Sequence, residues 1–242
     1  MQIVSTIIAV GGGGFTHERD PNLDEFCLDR LPRTPALGFV GMASGDAPEK
    51  IERFYDRFRG RAVSLSHLPE TTTRSEALDW LAGKDLVYFG GGNTADLIDR
   101  LRGIDLVGPL RRANEEGTVL AGVSAGGACW FDWILSNSAG AGYAPLTGLG
   151  FIRSGVCPHY LNEPARRPVL EALVDGDANL SCYAIDDGAC IVARSGKVVD
   201  YFSARAEAAA YLVQTKDGEV NTSRIPCRNA GCGGRPNEDG TS

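Results

Sequence analysis

The chain has 242 residues, of which 43% are hydrophobic and 23% charged, and its formal net charge is −7. This balance suits one large globular domain or two small ones and excludes a wholly disordered chain. The acidic charge argues against a nucleic-acid partner, and the three histidines (His17, His67 and His159) leave few candidates for imidazole chemistry.

Residues 3–10 form a short apolar run that ends in Gly11-Gly12-Gly13-Gly14, which predicts a buried strand feeding a tight loop. The run is short and lacks a basic flank, so neither a signal peptide nor a membrane span is expected. Residues 23–31 have helical spacing, and 35–41 read as a second strand. Pro48 opens a predicted helix through Phe58, with Ile51, Phe54, Tyr55 and Phe58 on one face. Strands are expected at 62–68, 85–89 and 119–123, and helices at 75–82, 95–101 and 106–116, with another helix from about Ala125. Near the end, 183–185, 189–193, 197–202 and 208–214 read as short strands that extend the same sheet.

Uniformly apolar strands alternating with helices predict an α/β fold with a mostly parallel sheet and helices on both faces. Ligands of such folds gather at the carboxyl ends of the strands. One domain is expected over 1–221, and 222–242, polar and without periodicity, reads as a mobile tail. The seven cysteines form no CxxC pair and mostly lie in apolar surroundings, so reduced thiols in a cytoplasmic protein are expected. No metal site is expected.

The strongest local motif is Gly122-Val123-Ser124-Ala125-Gly126, a GxSxG sequence between a predicted strand and a predicted helix. A nucleophile on such a turn exposes its oxygen, and the helix start offers free N–H groups to a developing negative charge. The rival reading is a Ser124 that merely caps the helix. A serine nucleophile needs a base, and His159, in Cys157-Pro158-His159-Tyr160, is the only histidine after it. The base needs an orienting acid, and Asp186-Asp187-Gly188 supplies two carboxylates, although alone it reads as an ordinary turn. The α/β-hydrolase order is Ser, acid, His. Here the only acid between Ser124 and His159 is Asp132, expected on the helix after the nucleophile, and no histidine follows Asp187. The esterase reading therefore fails on chain order. The loop Gly90-Gly91-Gly92-Asn93-Thr94 lacks the lysine of a phosphate loop, and its N–H groups are expected to face Ser124. Cofactor binding is not expected.

These pieces together resemble the dipeptidase E (alpha-aspartyl dipeptidase) family of serine peptidases, which includes cyanophycinases. The resemblance rests on IIAVGGGG, FGGGNT at 89–94, AGVSAGGACWF at 121–131, CPHY at 157–160 and AIDDGACIV at 184–192, in family order over residues 1 to about 215. It implies a three-layer αβα sandwich similar to class I glutamine amidotransferases. It implies Ser124 as nucleophile, His159 as base and Asp187 as acid, with Asp186 the alternative. Gly92 and Ala125 would supply the oxyanion-hole N–H groups, and Asn93 would shape that loop beside the substrate. Arg166 and Arg167 resemble the position of a cation that holds a substrate carboxylate, although both also read as solvated arginines. The implied activity is cofactor-free hydrolysis of short peptides, Asp-Xaa dipeptides first, by a monomer or homodimer. Broad small-peptide hydrolysis, cyanophycin cleavage and a non-catalytic sensing module are the alternatives.

Overall fold

The computed structural model describes residues 4–32 and 34–226. Thr6–Val10 (β1) leads through the glycine run and a 3-10 turn at Phe15–His17 into Pro21–Leu28 (α1). Ala36–Val40 (β2), Pro48–Phe58 (α2), Ser64–Leu68 (β3) and Arg74–Leu81 (α3) follow. Pro48 stands in the first turn of α2, where a missing N–H costs no hydrogen bond. Thr73 and Glu76 form a capping box that starts α3. Leu86–Phe89 (β4), Thr94–Gly103 (α4), Val107–Glu115 (α5), Val119–Val123 (β5) and the single turn Ala125–Ala128 (α6) come next. The chain then runs through Phe131–Ser136 (β6), Ala144–Thr147 (β7), Ile152–Pro158 (β8) and Arg166–Gly176 (α7). Ser181–Ile185 (β9), Ala189–Arg194 (β10), Lys197–Ser203 (β11), Ala210–Lys216 (β12) and Glu219–Arg224 (β13) complete it.

The result is an α/β fold with two mixed sheets. The first has the order β11-β10-β1-β5-β4-β2-β3, parallel from β1 through β3, with β10 and β11 antiparallel at one edge. Alternate residues of its strands enter two different cores. Ile8, Val10, Phe39 and Tyr88 pack with Phe26 of α1 and with Phe54 and Phe58 of α2. Ile7, Ala9, Val87 and Phe89 face the other way and pack with Leu81, Leu97, Leu101 and Leu110 of α3 to α5. Burial on both faces is why these strands read as unbroken apolar runs. The second sheet has the order β13-β12-β9-β8-β6-β7, and α7 covers it through Leu170 and Val174.

Three expectations need correction. The late strands do not all extend one sheet: β10 and β11 join the first, while β9 and β12 join the second. The helix after Ser124 ends at Ala128, and Asp132 lies exposed on strand β6. Gly126-Gly127 disfavours a longer helix, and the Phe131-Asp132-Trp133-Ile134 run favours a strand. Residues 222–224 belong to β13, paired with β12, so they are not tail; 227–242 lie outside the described residues.

Cys27, Cys129, Cys157, Cys182 and Cys190 are buried and unpaired, and burial pushes the Cys157 thiol up to about 12. Cys227 and Cys232 lie outside the described residues. Among the described residues no helix is long and apolar enough to cross a membrane.

Candidate active site

Ser124 sits between β5 and α6 with φ 53° and ψ −116°, a backbone region unfavourable to a residue with a Cβ. The turn is tight enough to exclude side chains around it. A Cβ on Gly122 would lie 2.3 Å from the Gly126 carbonyl oxygen, and one on Gly126 would lie 2.1 Å from that of Phe89. The Ser124 N–H donates to Val10 O at 2.9 Å, which ties the turn to the end of β1. The Ser124 side chain makes no capping bond to the helix. Its Oγ instead lies 2.8 Å from His159 Nε2.

His159 follows Pro158 at the end of β8 and also has a positive φ, 56°. Its Nδ1 is 2.5 Å from Asp187 Oδ1. Asp187 follows β9, and its backbone is held from two sides. Its N–H donates to Asn162 Oδ1 at 2.8 Å, and Arg205 donates to its carbonyl at 2.7 Å. Burial alone would raise the Asp187 carboxyl. The His159 hydrogen bond and the charges of His159, Arg19 and His17 outweigh it and hold the carboxyl below the usual range. Asp186 is engaged elsewhere: it accepts from Leu161 N at 3.1 Å and Ala209 N at 3.0 Å, and burial raises its carboxyl. The structure thus brings Ser124, His159 and Asp187 into one hydrogen-bonded chain and leaves Asp186 out of it. An imidazole held this way can accept the serine proton while Asp187 fixes the tautomer.

The 90–94 loop closes over the same serine. A Cβ on Gly91 would touch Ser124 Cβ at 3.3 Å. The loop is pinned by Asn93 N–H to Ala43 O at 2.7 Å and by Thr94 N–H to Ser138 Oγ at 3.0 Å. Among the described residues, neither the Gly92 nor the Ala125 N–H has an acceptor. The Asn93 side chain caps α4 by accepting from Asp96 N at 3.1 Å, and it does not line the pocket at Ser124.

A pocket of about 160 Å³ opens beside Ser124 and His159, lined also by Gly92, Ser136, Glu163 and Arg166. A larger cleft of about 920 Å³, between Arg111, Phe151 and Lys197, contains none of the three chained residues. The two candidate arginines part company here. Arg166 is buried; it donates through Nε to Glu163 Oε2 and through Nη1 to Leu135 O, both at 2.7 Å. Arg167 is exposed, pairs with Glu171 at 2.8 Å and does not reach the pocket. One step of about 100° around α7 separates them.

Sequence reasoning missed two contributions. Gly12 stacks its backbone on the pair: a Cβ there would fall 2.1 Å from Asp187 Oδ1 and 2.9 Å from His159 Nδ1. His17 lies near enough to His159 and Asp187 to interact with their charges; desolvation of its ring is the main cause lowering its pKa. The glycine run after β1 was the only signal for this side of the site. His67 is far from it, bonded to Tyr55 at 3.0 Å.

Residues 7–200 match the model of peptidase family S51. The uncharacterized peptidase YgaJ of Bacillus subtilis (strain 168) is 36% identical over 228 residues, covering 93% of this chain and 99% of that protein. A crystal structure of a peptidase from an acI-B1 actinobacterium superposes with a TM-score of 0.67 at 17% identity, covering 94% of this chain and 96% of the other. A Listeria monocytogenes EGD-e protein, provisionally named a peptidase E, gives 0.63 at 17% identity, covering 83% and 98%. With its serine set at a strand-to-helix turn and its family model spanning most of the chain, the protein belongs to peptidase family S51, a family of serine peptidases.

Proposed function

We propose that the protein is a cytoplasmic serine exopeptidase that cleaves short peptides through Ser124, His159 and Asp187. The observation that carries this is the unbroken chain from Ser124 Oγ to His159 Nε2 at 2.8 Å and from His159 Nδ1 to Asp187 Oδ1 at 2.5 Å. His159 takes the hydroxyl proton as Ser124 attacks the peptide carbonyl. The Gly92 and Ala125 N–H groups hold the oxyanion. His159 then protonates the leaving amine, and water releases the acyl group. The small pocket favours short substrates. The three-layer, amidotransferase-like arrangement, in one domain that includes β13, is the frame this reading adopts.

Asp-Xaa dipeptides are the first substrates proposed, with Arg166 as the cation for the aspartate carboxylate. A second reading, hydrolysis without strict aspartate preference, is favoured by Glu163, which already partners Arg166 at 2.7 Å. A dipeptide panel varying the first residue tests both. If Asp-Leu is cleaved far better than Ala-Leu, the first stands; equal cleavage selects the second. Cleavage of neither, with no labelling of Ser124 by a fluorophosphonate, overturns the peptidase mechanism itself.

A further inference from the structure

Among the described residues, Glu163 is the one carboxylate lining the pocket that holds Ser124 and His159. It sits one helical turn after the histidine, and its N–H donates to His159 O at 2.8 Å. Both of its side-chain bonds fall on a single oxygen: Oε2 accepts from Tyr143 Oη and from Arg166 Nε, each at 2.7 Å. Among the described residues Oε1 has no partner, and it is not a buried orphan. Burial would raise this carboxyl, but Tyr143 and Arg166 outweigh burial and hold it below its usual range, so it is ionised at neutral pH. The Glu163 side chain is 39% exposed, which leaves Oε1 open to a ligand.

From this arrangement we infer that Glu163, through Oε1, binds the free α-ammonium group of the substrate and so makes the enzyme specific for unblocked peptide N-termini. This rests on the serine-exopeptidase reading above. A carboxylate held by Tyr143 and Arg166 is preorganised, so one rigid oxygen meets the ammonium with little ordering cost. The pocket, about 160 Å³, has room for one residue on the amine side of the scissile bond. For an aspartyl substrate the Glu163–Arg166 pair presents both signs, anion to the amine and cation to the side-chain carboxylate. For a neutral first residue Glu163 alone remains in use.

The test compares a dipeptide with a free amine, its N-acetyl form and its des-amino form, on wild type and on Glu163→Gln. Wild type is expected to favour the free amine by about 10- to 100-fold or more in kcat/KM, as loss of a charge-assisted contact implies. In Glu163→Gln that preference is expected to shrink to within a few fold, chiefly through KM for the free-amine peptide. If Glu163 only held Arg166 and Tyr143, all three substrates would slow together and the preference would persist, which overturns the inference. Equal cleavage of the three by wild type overturns it as well, whether or not the variant folds. Fluorophosphonate labelling of Ser124 in wild type separates the cases: labelling with no amine preference sinks the Glu163 role alone, and absence of labelling sinks the mechanism beneath it.

Discussion

Asp187 Oδ1 stands 2.5 Å from His159 Nδ1, while the adjacent Asp186 gives its two oxygens to the N–H groups of Leu161 and Ala209. Adjacent carboxylates thus have different work, one toward the imidazole and one toward the backbone. Asp187→Asn is expected to lower kcat by on the order of 10³–10⁴-fold, because an amide in that place favours the wrong imidazole tautomer. Asp186→Asn is expected to cost about 1–3 kcal/mol of stability in urea unfolding, with a much smaller loss of kcat. Reversed outcomes would exchange the roles.

Gly12 has the His159–Asp187 pair directly against its α-carbon. A Gly12→Ala side chain would meet Asp187 Oδ1 at 2.1 Å, so the carboxylate or the strand end must move. A displacement near 1 Å is enough to cost about 100-fold in rate. The variant is expected to fold, by circular dichroism, and to lose activity of that order. Wild-type turnover would place the loop outside the reacting geometry.

Arg166 and Arg167 differ in burial, and their variants should differ accordingly. Arg167→Ala removes an exposed pair with Glu171 and is expected to change stability by less than about 0.5 kcal/mol and to leave the dipeptide preference unaltered. Arg166→Ala strips a donor from Leu135 O and Glu163 and is expected to cost about 1–3 kcal/mol. Its Asp-Leu turnover is expected to fall more than its Ala-Leu turnover. A specificity change in Arg167→Ala would contradict the placement.

His17 gives a stability slope with pH. Although the residue is exposed overall, desolvation of its ring, whose Nδ1 lies 3.1 Å from Gly13 O, lowers its pKa from the ordinary 6.5, so the unfolded chain takes up the proton first as pH falls. Stability is therefore full above about pH 6.5 and declines as pH drops from there toward the lower folded value. His17→Gln is expected to flatten that part of the curve in urea unfolding at stepped pH. An equal slope in the variant would contradict it.

Much of this site is legible in the sequence because it depends on local chemistry. The turn at Ser124 needs small neighbours, and GVSAG supplies them; the shortage of histidine points to His159; chain order removes the α/β-hydrolase arrangement. Boundaries such as 48–58 follow from Pro48 and an apolar face, and the structure repeats them as α2. What the sequence hides is non-local. Nothing local says that β9 and β12 leave the first sheet, since their apolar runs look like those of β10 and β11. The helix expected to carry Asp132 stops at Ala128, because Gly126-Gly127 weakens it just before the strand-favouring run that starts at Phe131. Gly12 and His17 approach the site only through pairing of distant segments, as in the contact of Gly12 with Asp187.

The most direct measurement is dipeptide hydrolysis by Ser124→Ala, with thermal unfolding as the check on fold. Among the described residues Ser124 Oγ forms no structural cap and bonds only His159, so its removal should leave Tm nearly unchanged. Hydrolysis is expected to fall by on the order of 10⁴–10⁶-fold. A folded Ser124→Ala protein that still cleaves dipeptides at the wild-type rate would contradict Ser124 as the nucleophile.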